Sequence, residues 1–228
     1  MKQRIGLFDL WRSLAVCGMA IFHLCYDLAL FGRIPMAAML SLPVRAVGFL
    51  LGGSFLLLSG ICLRFSRAPV RRGFLIFCAG LAVSLVSALA EQPVKFGILQ
   101  CIGVCMMLCG ALRERIEKKL GVGFALCCLA LFVGTWWLTA RVTVDIRFIY
   151  PLGFRSADFF SADYYPLLPW LLLYLLGMAL GRLLEDHRDA AVLRRQFPRW
   201  MTFPGRHSLL IYLLHQPILY MLCRVMFG

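Results

Sequence analysis

Residues 9–31 read "DLWRSLAVCGMAIFHLCYDLALF". A helix rises about 1.5 Å per residue, so this stretch is long enough to cross the roughly 30 Å of hydrocarbon in a bilayer. Yet it carries Asp9, Arg12, His23 and Asp27. Winding the stretch at about 100° per residue places all four within an arc of about 60°, a single polar stripe on an apolar helix. An ionisable group at the bilayer centre costs on the order of 2.5–3.5 kcal/mol on insertion scales, so this stripe is expected to face protein or trapped water and to have a function.

Working outward, apolar runs of similar length recur along the whole chain. Seven are predicted, at about 9–31, 43–63, 73–90, 96–112, 121–140, 165–184 and 207–226. Apolar residues make up 61% of the 228 and the mean hydropathy is +0.82, far above the roughly 45–50% apolar content of soluble domains. The fold class is therefore all-α, a polytopic integral membrane bundle of about seven transmembrane helices, in a single domain over residues 1–228. The first run does not read as a cleaved leader, because its charges interrupt it and no small-x-small site follows.

The net charge of +13 does not point to nucleic acid, since the basic residues are sorted by loop. Alternate loops on one side carry 16 Lys and Arg, among them Arg64, Arg113, Arg182, Arg199 and Arg206, and the opposite loops carry 7. By the positive-inside bias the N-terminus is cytoplasmic and the C-terminus outside. The cysteines fall within predicted spans or at their ends. Cys101, Cys105 and Cys109, spaced by four, read as small packing residues on one helix face, and no metal site is expected.

Within the first helix, Asp9 and Arg12 are three apart and His23 and Asp27 four apart, so each pair is in reach. A carboxylate beside an imidazole fixes its tautomer, which makes His23 a candidate proton acceptor and Asp27 its partner. The last helix holds a second polar face of Ser208, Tyr212 and His215, with Gln216 beside it and Pro217 disturbing the preceding turn. His215, Tyr212 or Gln216 is expected opposite His23, to polarise a reacting carbonyl or orient the second substrate, with His215 the further catalytic candidate. Arg206 sits at the cytoplasmic end of that helix. In the long outside loop Asp163 is the best candidate for binding a substrate, although aromatic residues there also suit a membrane interface. Gln100 is expected to make structural hydrogen bonds, and residues 185–200 to form a short amphipathic segment on anionic lipid.

Arg12, ten intervening residues and His23 resemble the R-x10-H signature of type-3 membrane acyltransferases. More closely, "FDLWRSLAVCGMAIFHLCYDL", "FLLGGSFLLLSG", "KFGILQCIGVC", "DYYPLLPWLLLYLLGMALGR" and "GRHSLLIYLLHQPIL", in that order, resemble the catalytic domain of the heparan-α-glucosaminide N-acetyltransferase family in its small bacterial form. The resemblance implies acetyl transfer across a bacterial plasma membrane. Acetyl-CoA would come from the cytoplasm, and the acceptor would be an amino or hydroxyl group of a glycan or glycolipid at the other side. It makes His23 the catalytic histidine and Arg12 the cytoplasmic-side residue of the motif; beside them Arg206, Ser208 and Tyr212 are candidates for binding the donor, and Asp163 and Gln216 for binding the acceptor. The human-type enzymes share the layout but not the His23 position, so the resemblance carries the reaction class and not the glucosamine substrate.

Two other classes compete for the same residues. His23 and His215 could ligate one b-type haem, but Asp27 one turn from His23 favours a base over a ligand. A small transporter or lipid-carrier flippase could use the stripe to bind an anion or relay protons, but no paired inverted halves are evident.

Overall fold

The computed structural model describes residues 5–89, 92–146, 148–186 and 195–228, and among these it is all-helical. The helices are α1 Gly6–Leu30, α2 Met36–Met39, α3 Leu42–Leu63, α4 Pro69–Leu89, α5 Ile98–Ala111, α6 Arg113–Glu117, α7 Val122–Arg141, α8 Leu167–Asp186, α9 Arg199–Arg206 and α10 Ser208–Phe227. Six of them, α1, α3, α4, α7, α8 and α10, are long and apolar enough to cross a membrane. The protein is an integral, multi-pass membrane protein.

The predicted run at 96–112 appears as α5, with 14 residues, about 21 Å of helix and shorter than a bilayer core. Its apolar character comes from protein contact, since Ile98, Cys101, Cys105 and Cys109 are all buried between α4 and α8. The three cysteines thus pack along one face, as their spacing predicts. All ten cysteines are free.

The chain divides into two compact units. One comprises residues 1–55 and 187–228, the other residues 56–186. In the second unit, the end of α3 crosses α8 where glycines meet: a Cβ on Gly60 would strike the Tyr174 carbonyl, and one on Gly177 the Leu57 carbonyl. Helices pack this closely in membranes because small residues let backbones touch and dispersion replaces the absent hydrophobic drive. The same device joins α4 to α5, where a Cβ on Gly103 would come within 2.7 Å of the Phe77 nitrogen. Trp170 of α8 packs edge-on against Trp136 of α7, with ring centroids 5.9 Å apart.

The two ends of this second unit differ in chemistry. At one end Arg64, whose Nε bonds Glu185, and Arg113, which bonds Glu117 at 2.8 Å and donates to the Arg64 carbonyl at 2.9 Å, tie together the ends of α3, α6 and α8. At the other, the turn before α5 is roofed by the 142–166 loop: Lys95 N–H donates to Ser161 Oγ at 2.8 Å and Tyr165 N–H to the Phe96 carbonyl at 3.0 Å. Loops assigned to one side by charge sorting are therefore gathered at one end. Within this roof Tyr164 donates its hydroxyl to the Tyr150 carbonyl at 2.6 Å, and burial pushes its phenol up to about 12, keeping it a donor.

The first unit is built on α1, flanked by α9 and α10. Gly18 of α1 lies against Leu51 of α3, and Gly48 of α3 against the Phe22 ring. The far ends of α1 and α10 meet through Phe31 and Tyr220, with centroids 5.7 Å apart, and the Arg33 guanidinium lies 4.4 Å from the centre of the Phe227 ring. Residues 187–194, and with them the middle of the expected amphipathic segment at 185–200, lie outside the described residues.

Candidate functional site

The polar stripe of α1 faces inward. Asp9, Ser13, Val16, Met19 and Asp27 are buried, while Leu14, Cys17 and Ile21 on the opposite face are exposed. The face sorted by helical period is the face that packs against protein, as the cost of placing ions in lipid requires. Two polar centres lie along it.

The first is at the start of α1. Asp9 Oδ1 accepts from Arg12 Nη1 at 3.2 Å, and its Oδ2 lies 3.4 Å from Arg206 Nε. One buried carboxylate thus lies against two guanidiniums. Two residues that the sequence reading passed over complete this centre. Ser13 donates its hydroxyl to the Asp9 carbonyl at 3.0 Å and accepts the Gly205 N–H at 2.8 Å. Gly205 lies so close that a Cβ there would overlap the Asp9 carbonyl. The sequence signal was present, since Ser13 falls four residues after Asp9 and "PGR" interrupts α9, but nothing in one chain says which helix a glycine will touch. Ser208 opens α10, half-buried. Tyr212, one turn later, sits 6.5 Å from the Phe55 ring and 5.3 Å from His215, centroid to centroid.

The second centre joins the later half of α1 to the middle of α10. The His23 and His215 rings lie 5.1 Å apart, centroid to centroid, tilted by 57°, so the last-helix histidine is where the sequence reading expects it. Asp27, however, has a different partner from the expected one. Its Oδ1 accepts from Gln216 Nε2 at 3.0 Å, and no hydrogen bond joins it to His23. Spacing of four on one helix permits the His23–Asp27 pair, but Gln216 on the facing helix offers a donor with no charge to desolvate, and His23 turns toward His215. Gln216, expected near the acceptor, is here a tie between helices.

This tie yields a stability prediction. Asp27 is 1% exposed, and its Oδ2 and the Gln216 Oε1 are both buried without a hydrogen-bond partner. Asp27→Leu would strand the whole amide, at a cost of about 1–3 kcal/mol for buried polar groups left unpaired. Asp27→Asn keeps an acceptor oxygen and adds an NH2 that can donate to Oε1. Thermal melting in detergent should fall for Leu and hold or rise for Asn; equal melting of the two would remove this account of the pair.

Asp163, expected to bind substrate, belongs to the second unit and is engaged at the start of α5. Its Oδ2 accepts the Ile98 N–H at 3.1 Å, while Gln100, as expected structural, accepts the Gly97 N–H at 2.6 Å and donates to Ser84 Oγ at 3.1 Å. Gly97 has no side chain to cap its own helix, so Asp163 from the loop and Gln100 from the first turn satisfy the orphan donors instead. Among the described residues no group of three or more His, Cys, Asp or Glu is arranged to hold a metal ion.

The catalytic-domain model of heparan-alpha-glucosaminide N-acetyltransferase matches residues 4–217, which include both polar centres. No curated protein matches the chain, and no solved structure does. The match covers nearly the whole chain, and both histidines lie inside it: the protein belongs to the heparan-alpha-glucosaminide N-acetyltransferase catalytic-domain family and is a membrane acetyltransferase.

Proposed function

We propose that this protein moves an acetyl group from cytoplasmic acetyl-CoA to an amino or hydroxyl group of a sugar-type acceptor, a glycan or glycolipid, at the opposite face of a bacterial inner membrane. Residues 1–228 act as one acyltransferase domain, with the N-terminus in the cytoplasm and the C-terminus outside. The observation that carries this reading is the inward-facing stripe of α1, which runs from paired arginines to paired histidines.

Arg12 and Arg206 are the donor end. Guanidiniums bind phosphate through paired, charge-assisted hydrogen bonds, which suits these two to the phosphates of the donor, and Ser208 and Tyr212 line the way from there along α10. From Arg12 to His23 is eleven residues, about 16 Å of helix, and the face between carries Val16, Met19 and Ala20, small or flexible apolar groups along which a thin acyl-bearing arm can lie. His23 is the proton acceptor. As the acceptor's nitrogen or oxygen attacks the thioester carbonyl carbon, its proton passes to the His23 imidazole. The carbon–sulfur bond then breaks, the thiolate leaves, and the proton is returned to it, so that CoA and the acetylated acceptor are the products. Asp163 is the loop carboxylate on the acceptor side.

The reading is tested with purified protein and acetyl-labelled acetyl-CoA. Release of free CoA thiol together with labelled product, or with label on a histidine, supports it. A carrier or flippase built on the same stripe would release no thiol, and that result would remove the enzymatic reading.

A further inference from the structure

We propose that His215 is the residue that orients His23, taking the part that spacing along α1 assigns to Asp27. This deepens the acyltransferase reading and rests on it for the role of His23.

The inference follows from where each nitrogen of His215 can bond. Its Nδ1 lies 2.7 Å from the Tyr212 carbonyl oxygen and 3.2 Å from that of Ile211. Carbonyl oxygens only accept, so Nδ1 carries the proton, and in the neutral ring Nε2 then carries the lone pair. That Nε2 is buried and has no hydrogen-bond partner among the described residues. A buried acceptor left alone is costly, about 1–3 kcal/mol, and such an atom marks a partner that arrives or turns.

The His23 ring is 5.1 Å from the His215 ring, centroid to centroid. At that separation two imidazoles whose nitrogens are turned toward each other are in reach of an N–H···N bond of about 2.9 Å; the rings are tilted by 57°, and rotation of His23 about its terminal torsion, a broad one, is the adjustment that would bring a nitrogen to bear. Asp27 makes no hydrogen bond to His23 in the structure: its Oδ1 is held by Gln216 at 3.0 Å and its Oδ2 is without a partner.

The consequence is a fixed tautomer. When one nitrogen of His23 donates to His215 Nε2, its other nitrogen must hold the lone pair and can accept the acceptor group's proton. The imidazolium so formed keeps its second N–H on Nε2, which spreads the charge over two rings until the proton goes to the leaving thiolate. His215 is thus a positioning residue fixed from behind by the backbone of its own helix, and no buried carboxylate is needed.

The test compares His215→Gln with His215→Leu. Gln presents an amide oxygen that can accept from His23, whereas Leu removes every acceptor. For acetyl transfer, Leu should lower kcat by about 100-fold with KM within about twofold, and Gln should recover most of that loss. In parallel, 15N spectra of histidine-labelled protein should report one neutral tautomer for His23 in the wild type and the Gln variant, and a mixture in the Leu variant. A single unchanged His23 tautomer in the Leu variant overturns the proposal, and so does a Gln variant as impaired as Leu. The spectra read the tautomer whether or not acetyl transfer is found, so failure of the acyltransferase reading and failure of this inference give different results.

Discussion

His23→Ala should lower acetyl transfer by about 10²–10⁴-fold, the usual contribution of a positioned acid–base group, while leaving the protein folded. The two halves of this expectation come from different observations. The chemical half follows from position: His23 lies on the inward face of α1, and the acceptor must lose a proton as it attacks the thioester. The structural half follows from how little His23 holds in place. It is half-buried, makes ring contacts with Phe22 at 5.9 Å and His215 at 5.1 Å, and is in no hydrogen bond with Asp27. Removing the ring should therefore change stability by no more than about 1 kcal/mol, as is usual for groups outside the core mechanisms. Thiol release from acetyl-CoA and the melting temperature are read on the same preparation. Full activity in the Ala variant would remove His23 from the chemistry. Loss of activity together with a large drop in melting would make the residue structural, so only the combination of a dead reaction and an intact fold supports its role.

How much of this was legible beforehand depends on whether a residue's partner lies on its own helix. The stripe of Asp9, Arg12, His23 and Asp27 could be read because helical period alone sorts a face, and the energetics of lipid then dictate which way it turns. The Asp9–Arg12 pair, three apart, formed as expected at 3.2 Å. The packing role of Cys101, Cys105 and Cys109 was readable for the same reason. Partners on other elements were not. The His23–Asp27 pair satisfied every local rule, yet Asp27 was taken by Gln216, 189 residues away, and periodicity carries no information about that competition. Asp163 looked like a loop carboxylate free for a ligand. Its bond to Ile98 N–H answers a need set by Gly97, a helix start that has no side chain of its own. The run at 96–112 was legible as an apolar helix and forms one, α5, but its length of 14 residues was not, because a helix wrapped in protein and a helix wrapped in lipid have the same composition.

Gly205→Ala should destabilise the protein by about 3 kcal/mol, the upper range for overpacking a tight contact, and should do so by prising α9 from α1. The added methyl would occupy the space of the Asp9 carbonyl oxygen and come within 2.9 Å of the Ser13 nitrogen. Both obstacles are backbone atoms of a helix, so no side chain can swing aside and the helices must separate. Separation lengthens the Gly205 N–H to Ser13 Oγ bond, now 2.8 Å, and leaves a buried donor unpaired. It also moves Arg206 away from Asp9, to which its Nε now lies at 3.4 Å, so one change at a methyl's scale acts on the donor end as well as on the fold. The same variant should accordingly raise KM for acetyl-CoA more than it lowers kcat, because the histidine pair lies on a different part of α1 and α10. Gly134→Ala is the control. Gly134 lies within α7 with nothing within 4 Å of its added carbon, and alanine inside a helix is more favourable than glycine by roughly 0.5–1 kcal/mol, so its melting should hold or rise. If the Gly205 variant melts like the wild type, α9 does not press on α1 at Asp9, and Arg206 loses the geometry that places it with Arg12. If it melts low but binds donor normally, Asp9 and Ser13 serve the fold alone and the phosphates are held elsewhere.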